Sequence, residues 1–261
     1  MDIEVKARRS SVPKIRIDGI RDGGHFKAPR RTIVEFEGVR FSNVDFSGEH
    51  FWSYEAKGST FAACDFRKTR FDGGHLGGNE QTVYQHCRFD GSHLGKTDAG
   101  FARFEQCVFD SANLDRWRAF NAEFVDCHFA GRVVEVAFAG KPDPKHAKWV
   151  RPARAINEFR GNDFRQAELI DSRFFRGVDL DAQLLPQGQD YLRLSRIRAR
   201  VQTVGADVAR WSDDQARQKA LRMLWYIEMT SAEQDDYFAR RDDLPIPKEV
   251  RDRVWQLLND A

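Results

Sequence analysis

Several marks of the common functional classes are missing from this chain. No apolar run approaches the ~18–20 residues that a membrane-crossing helix requires, and a mean hydropathy of −0.62 with 31% charged residues describes a soluble protein. The N-terminal stretch from Met1 to Gly19 lacks the apolar centre and cleavage site of a secretory leader. A strong charge of one sign is also lacking. The formal net charge is +2, with a basic first thirty residues, a mildly acidic middle and a nearly neutral tail. There is no phosphate-binding glycine loop, no H-E-x-x-H and no G-x-S-x-G, so enzymatic activity and a cofactor are not expected. His50, His75, His93 and His128 are dispersed and read as surface residues.

Only four cysteines occur, and their spacing is informative. Cys87, Cys107 and Cys127 are 20 apart, and Cys64 joins them if about three extra residues intervene. Regular spacing of this kind describes a ladder of free thiols, not a disulfide framework. It also gives no zinc set, because each cysteine falls on a different turn of the chain and no histidine shares the column; no metal is expected. Free buried thiols suit the reducing cytoplasm.

What is abundant is phenylalanine, 21 residues, on a period of five. Phe36, Phe41, Phe46 and Phe51 lead to Phe61, Phe66, Phe71 and Leu76. After a slip at Gly77–Tyr84 the series resumes as Phe89, Leu94, Phe104, Phe109, Leu114, Phe124, Phe129 and Val134. A second instalment runs Phe159, Phe164, Leu169, Phe174, then Leu180 and Leu185 after a one-residue shift. Five is neither the 3.6 of a helix nor the 2 of a flat strand. The residue two before each large one is small or β-branched, as at Val39, Val44, Ser59, Cys64, Thr69 and Ala102. One unit reverses the order, with Tyr54 at the small position and Ala56 at the large one, which keeps volume roughly constant. A chain that turns a corner every five residues closes a square coil in ~20 residues, and coils stack about 4.8 Å apart.

The runs "SNVDFSG", "AACDFRK", "SANLDRW" and "GNDFRQAELIDSRF" resemble the pentapeptide-repeat family, over more than half of the chain. The resemblance implies an all-β solenoid, a right-handed quadrilateral β-helix. It also implies a protein partner, since cytoplasmic relatives bind type II topoisomerases, chiefly DNA gyrase, and protect them from poisons. In those relatives an acidic rod is thought to imitate duplex DNA. This solenoid is only weakly acidic and carries a longer helical tail, and it lacks the basic track that direct nucleic-acid binding needs.

Three regions follow: an N-terminal cap or arm at 1–30, the solenoid at 31–190 with loops near 77–84 and 137–156, and a helical C-terminal module at 191–261. The leading segment reads as a strand or turn covering the first coil near Thr32, or as a basic arm. The second loop contains Pro142, Pro144 and Pro152, which cannot donate ladder hydrogen bonds. It carries Lys141, Lys145, Lys148, Arg151 and Arg154 around Trp149, which marks these six as a partner-binding set. The competing reading is a tolerated insertion whose Trp149 packs back on the rod.

In the tail, apolar residues at Leu194, Ile197, Val201, Val204, Val208 and Trp211 step by three and four, so a helix beginning near Tyr191 is expected. That stripe serves either as a cap on the last coil or as the seam of a homodimer. Arg193, Arg196 and Arg200 fall on one face of the same helix and read as solvated. Ser212 with Gln215 suggests a capping box for a second helix, whose apolar positions include Ala216, Ala220, Leu221, Leu224, Trp225 and Ile227. A third begins after Pro247.

Overall fold

The computed structural model describes residues 12–231, 233–244 and 246–261. The five-residue period becomes a coil with four flat faces, all of whose stacked strands are parallel. One face begins with Lys14–Ile17 and continues through Ile33–Glu37, Ser53–Lys57 and Gly74–His75. The next is a seven-stranded ladder from Ile20–Asp22 to Phe159–Arg160. Single bridges link the third face from His25 through Asp45, Asp65, Arg88 and Val108. A fourth face runs through His50, Arg70, His93 and Asn113.

The corners explain the period. Gly38, Asn43 and Gly48, then Gly58, Ala63 and Lys68, all have positive φ. Such a corner costs a residue other than glycine about 1 kcal/mol. Each unit buries one large apolar side chain, which contributes about 2–3 kcal/mol, so burial wins. On the third face the rings stack in one column. Phe46–Phe66, Phe66–Phe89, Phe89–Phe109 and Phe109–Phe129 have centroids 4.6, 4.9, 5.1 and 4.9 Å apart.

The three-residue slip is real. Phe61 pairs with Tyr84, which stacks between Phe61 and Phe104 in a second aromatic column, on the seven-stranded face. The Tyr54/Ala56 exchange is packed as expected, and both residues are buried. The Tyr84 hydroxyl donates to the Leu76 carbonyl at 2.9 Å and lies 3.1 Å from the Tyr54 hydroxyl. The same exchange recurs unannounced at Trp117 and Ala119, where the indole N–H donates to Thr97 Oγ1 at 3.1 Å. Val133, not Val134, points inward, because the strand His128–Val134 takes two steps from His128 to Ala130 where the next coil takes three from Asp163 to Gln166.

The four thiols are buried and free. Each lies within hydrogen-bonding reach of a backbone carbonyl of the preceding coil, as from Cys107 to Tyr84 at 3.3 Å and from Cys127 to Phe104 at 3.3 Å. Burial pushes the Cys107 thiol well up. Cys64 is raised first by its hydrogen bond with Cys87 and then by burial. Asn162 continues the column: its Oδ1 accepts from the Cys127 amide at 3.0 Å and its Nδ2 donates to the Phe124 carbonyl at 2.9 Å.

At the N-terminal end, Lys14–Ile17 pairs with Ile33–Phe36 and leads into the first coil. The first eleven residues of the expected cap or arm lie outside the described residues.

The tail departs from expectation at its start. Tyr191–Leu194 is a strand, antiparallel to Tyr237–Arg240, and the helix α1 spans only Ile197–Val208. Four residues of alternating pattern cannot be told from a helical turn by period alone. This strand pair, and not the helix, covers the last coil. Phe238 packs on Phe174 at 6.1 Å and stacks with Tyr191 at 5.3 Å, while the Leu169 amide donates to the Tyr191 hydroxyl. The Gln234 side chain satisfies the Gly177 and Val178 amides. Exposed ladder groups at the end of the coil are thereby paired.

Helix α2 spans Asp214–Thr230, and its N-cap is Asp213, which accepts from the Gln215 and Ala216 amides; Ser212 makes no box. Helix α3 spans Lys248–Asp260. The three helices enclose a second core, in which α3 buries Val254, Trp255 and Leu258.

Candidate functional site

The two interruptions of the repeat meet on one side of the rod. Glu80 from the first and Arg151 from the second form a parallel backbone bridge. The Arg151 amide donates to the Asn79 carbonyl at 2.8 Å, and the Gln81 amide donates to the Arg151 carbonyl at 2.9 Å. At the base of the longer loop, the Asn157 amide donates to the Gly140 carbonyl at 2.8 Å. Gly140 has to be glycine there, since a Cβ would lie 2.6 Å from the Gly177 backbone.

Beneath the bridge, Glu123 is the common anchor. Its Oε2 accepts from Gln81 Nε2 at 2.6 Å and from Arg154 Nη1 at 3.1 Å, and its Oε1 accepts from the Glu158 amide at 2.9 Å. Arg154 also donates to the Asn157 side chain at 3.1 Å and to the Asn121 carbonyl. Burial pulls its guanidinium below the usual arginine range, and the charge of Glu123 opposes that. Arg154, one of the six sequence candidates, is thus a clamp under the loop, and its guanidinium is not offered to a partner. Its spacing gave no hint of this, because its acceptor lies on another coil.

Lys141 is also engaged, by Glu233 at 3.0 Å, which ties the loop to the segment before the Tyr237–Arg240 strand. The remaining four face outward together. Ala147–Trp149 form a single 3₁₀ turn, and the Arg151 guanidinium donates to the Lys148 and Val150 carbonyls at its end. Val150 is buried and pins that turn, while Trp149 is 47% exposed. Lys148 Nζ lies 4.9 Å from the Trp149 ring centroid, and the His146 ring is 5.7 Å away. Trp149 therefore stands on a hydrogen-bonded, buttressed platform with Lys148 against its ring, Arg151 at the end of the turn and Lys145 exposed just before it.

The stripe in the tail is placed otherwise. Ile197, Val201, Val204 and Val208 of α1, with Leu194 and Trp211, are buried in the protein's own second core. Arg253 lies over the Trp211 ring at 3.8 Å. Arg193 is on a strand and Arg196 precedes α1, so only Arg200 belongs to the helix, where it donates to the Leu258 carbonyl. Two of the apolar positions expected on α2, Leu221 and Trp225, are not part of that core: with Met229 they face outward, four residues apart, and Trp225 is 59% exposed. The spacing itself held the signal, since Leu221 and Trp225 fall opposite Ala220, Met223, Leu224 and Ile227 on a helical wheel.

Outward carboxylates on the rod are largely paired. Asp65, Asp90 and Asp163 each meet an arginine two residues away at 2.5–2.8 Å: Arg67, Arg88 and Arg165. The Arg165 side chain holds Asp163 down at about 2. Alternation of this kind leaves no continuous acidic stripe along that face. Among the described residues no group of three metal-ligating side chains occurs, and no helix is long and apolar enough to cross a membrane.

No family model and no curated protein matches the chain. Several solved structures do. A trypsin-treated form of QnrB1, a plasmid-mediated fluoroquinolone resistance protein, matches at 17% identity over 65% of this chain and 78% of that one, with a TM-score of 0.25. Full-length QnrB1 matches at 14% identity over 66% and 91%, with a TM-score of 0.18. HetL, a pentapeptide-repeat protein involved in heterocyst differentiation regulation in the cyanobacterium Nostoc sp. strain PCC 7120, matches at 10% identity over 66% and 70%, with a TM-score of 0.24. By its own geometry, five-residue units wound into parallel square coils, the chain resembles the pentapeptide-repeat proteins.

Proposed function

We propose that the chain is a non-enzymatic cytoplasmic protein that docks a protein partner on the platform around Trp149. The observation that carries this reading is the convergence of both interruptions on one bridge. That bridge holds an exposed indole and three cations on a rigid rod, the arrangement expected of a contact anchor. The partner class that the family resemblance implies is a type II topoisomerase, DNA gyrase above all. Because the outward carboxylates are paired with arginines, recognition rests on contact at the platform and not on imitation of DNA charge.

The test is a gyrase supercoiling assay, with and without a poison that traps cleaved DNA. Rescue or inhibition at stoichiometric protein, lost in Trp149→Ala, supports the reading. No effect on gyrase or topoisomerase IV removes the topoisomerase. A second reading has its own observation: the outward stripe Leu221, Trp225 and Met229 suits a general interaction scaffold whose helical module binds an unrelated partner. Binding that survives Trp149→Ala and is lost in Trp225→Ala favours that scaffold.

A further inference from the structure

The first coil leaves the ladder on one face. Lys14–Ile17 pairs with Ile33–Phe36, Ile20–Asp22 pairs with Arg40–Ser42, and His25 bridges Asp45. On the fourth face His50–Phe51 pairs with Arg70–Phe71 of the following coil, but has no strand on its other side among the described residues. The reason lies in the repeat. Its period calls for a large apolar side chain at position 31, between Phe26 and Phe36, and Arg31 stands there. Burying that charge unpaired is too costly, and Pro29 just before has no amide to give to a ladder. Arg30 and Arg31 are both exposed, and they share with His50 and Trp52 the lining of a cleft of about 860 Å³.

The strand edge in this cleft is unused. Where coils do pair, the amide before the large residue donates to the previous coil, as from Asp45 to the Gly24 carbonyl at 2.9 Å and from Arg70 to the Glu49 carbonyl at 2.8 Å. The amide after it does the same, as from Asp72 to the Phe51 carbonyl at 2.9 Å. The corresponding groups here are the His50 amide and carbonyl and the Trp52 amide. None of the three has a hydrogen-bond partner among the described residues. At the far end of the rod, by contrast, Gln234 satisfies the Gly177 and Val178 amides.

Positive charge is left over beside this edge. The carboxylates of the cleft are already engaged: Glu49 by the Ala28 amide, His25 and Lys27, and Asp72 by His50 and Arg70. No ion pair among the described residues includes Arg30 or Arg31. Trp52, 41% exposed, adds an apolar surface next to the free edge.

Geometry narrows the occupant. Alternate amides of a strand lie about 6–7 Å apart, too far for one small oxyanion to bridge. An extended backbone matches all three groups. In a parallel pairing, the residue opposite Phe51 donates to the His50 carbonyl and accepts from the Trp52 amide, and the residue before it accepts from the His50 amide. Phe26 already lies over the Phe51 ring at 6.0 Å, so the residue opposite Phe51 must be small. Its two neighbours point outward beside His50 and Trp52, where Arg30 and Arg31 favour acidic side chains. We propose that this cleft takes an extended acidic segment of a protein partner, added as a parallel strand on His50–Trp52 with a small residue opposite Phe51. The site belongs to the first coils and stands independently of the Trp149 platform.

The experiment is a nuclear magnetic resonance titration of the isotope-labelled full chain with a short capped peptide of alternating glutamate and alanine. Saturating shifts at the His50 and Trp52 amides, with slowed hydrogen exchange at both, are expected. The same peptide with lysine in place of glutamate should bind at least tenfold more weakly. So should one methylated at its alanine nitrogens, which can no longer donate to the His50 carbonyl. Arg30→Glu combined with Arg31→Glu should also cost at least tenfold, with circular dichroism checking that the variant is folded. Should it fail to fold, the lysine and methylated peptides on the parent chain decide the matter. No saturation at millimolar peptide, equal binding of either control peptide, or unchanged affinity in the folded double variant would each overturn the proposal.

Discussion

Glu80 and Arg151 lie in register in a parallel backbone bridge, each from a different interruption of the repeat. The bridge turns two insertions into one structure, and the buried Arg154–Glu123 pair beneath it is what holds them. Arg154→Ala removes the clamp but leaves Glu123 its contacts with Gln81, the Glu158 amide and Arg103. The cost should fall near the low end for a broken buried pair, about 2–3 kcal/mol. A lowered urea midpoint checks the stability, and faster tryptic cleavage at Lys145 and Lys148 checks that the platform has loosened.

Trp149 itself behaves oppositely. It lies outside both cores and is 47% exposed, with Lys148 and His146 against its ring, so Trp149→Ala should change stability by less than about 1 kcal/mol. Partner binding should nevertheless fall sharply, as it does for an aromatic anchor. Equal affinity in the variant, measured on whichever partner is found, would remove Trp149 from the contact.

The thiol column yields a third outcome. Cys64, Cys87, Cys107 and Cys127 are buried inside stacked coils, so labelling in native protein should be slow and should become fast in denaturant. Asn162 closes the same column, and Asn162→Ala would strand the Cys127 amide and the Phe124 carbonyl. A loss of about 2–3 kcal/mol is expected in equilibrium unfolding, against about 1 kcal/mol for Cys107→Ala, which gives up only weak thiol contacts with the Tyr84 and Glu105 carbonyls.

The interior of the rod was legible because its signal is local. A large residue such as Phe66 and a small one such as Cys64 recur at fixed offsets, and one unit predicts the next. Tyr84 escaped because the three inserted residues move it out of count, and Trp117 because its large-for-small exchange with Ala119 hides the column. Pairings made across distance were not legible. Nothing near Arg154 marks Glu123 as its acceptor, so a buried clamp reads as one more cation in a basic loop. Likewise Tyr191–Leu194 finds its strand partner only after two helices, and a four-residue apolar pattern alone cannot choose between strand and helix.

Asp243, in the short turn between the Tyr237–Arg240 strand and α3, makes stability sensitive to pH, with a sign opposite to that of the paired carboxylates on the rod. Its folded value of about 6 stands above the ordinary 3.8, chiefly through burial, so the folded state holds the proton more tightly than the unfolded chain. Its contribution is fully present below pH 3.8 and is lost as pH rises through about 6. Two units would amount to about 3 kcal/mol, but the side chain is only half-buried, and solvent screening reduces this to about 1–2 kcal/mol. Asp163, held low by Arg165, works in the other direction, so the whole-protein profile mixes both. The difference between Asp243→Asn and the parent chain isolates the one group. That difference should be small at pH 4 and grow in favour of the variant up to pH 7 in chemical denaturation. A flat difference would mean that Asp243 is not destabilised by its surroundings, and a parent chain more stable than the variant at pH 7 would mean that its charge already has a partner.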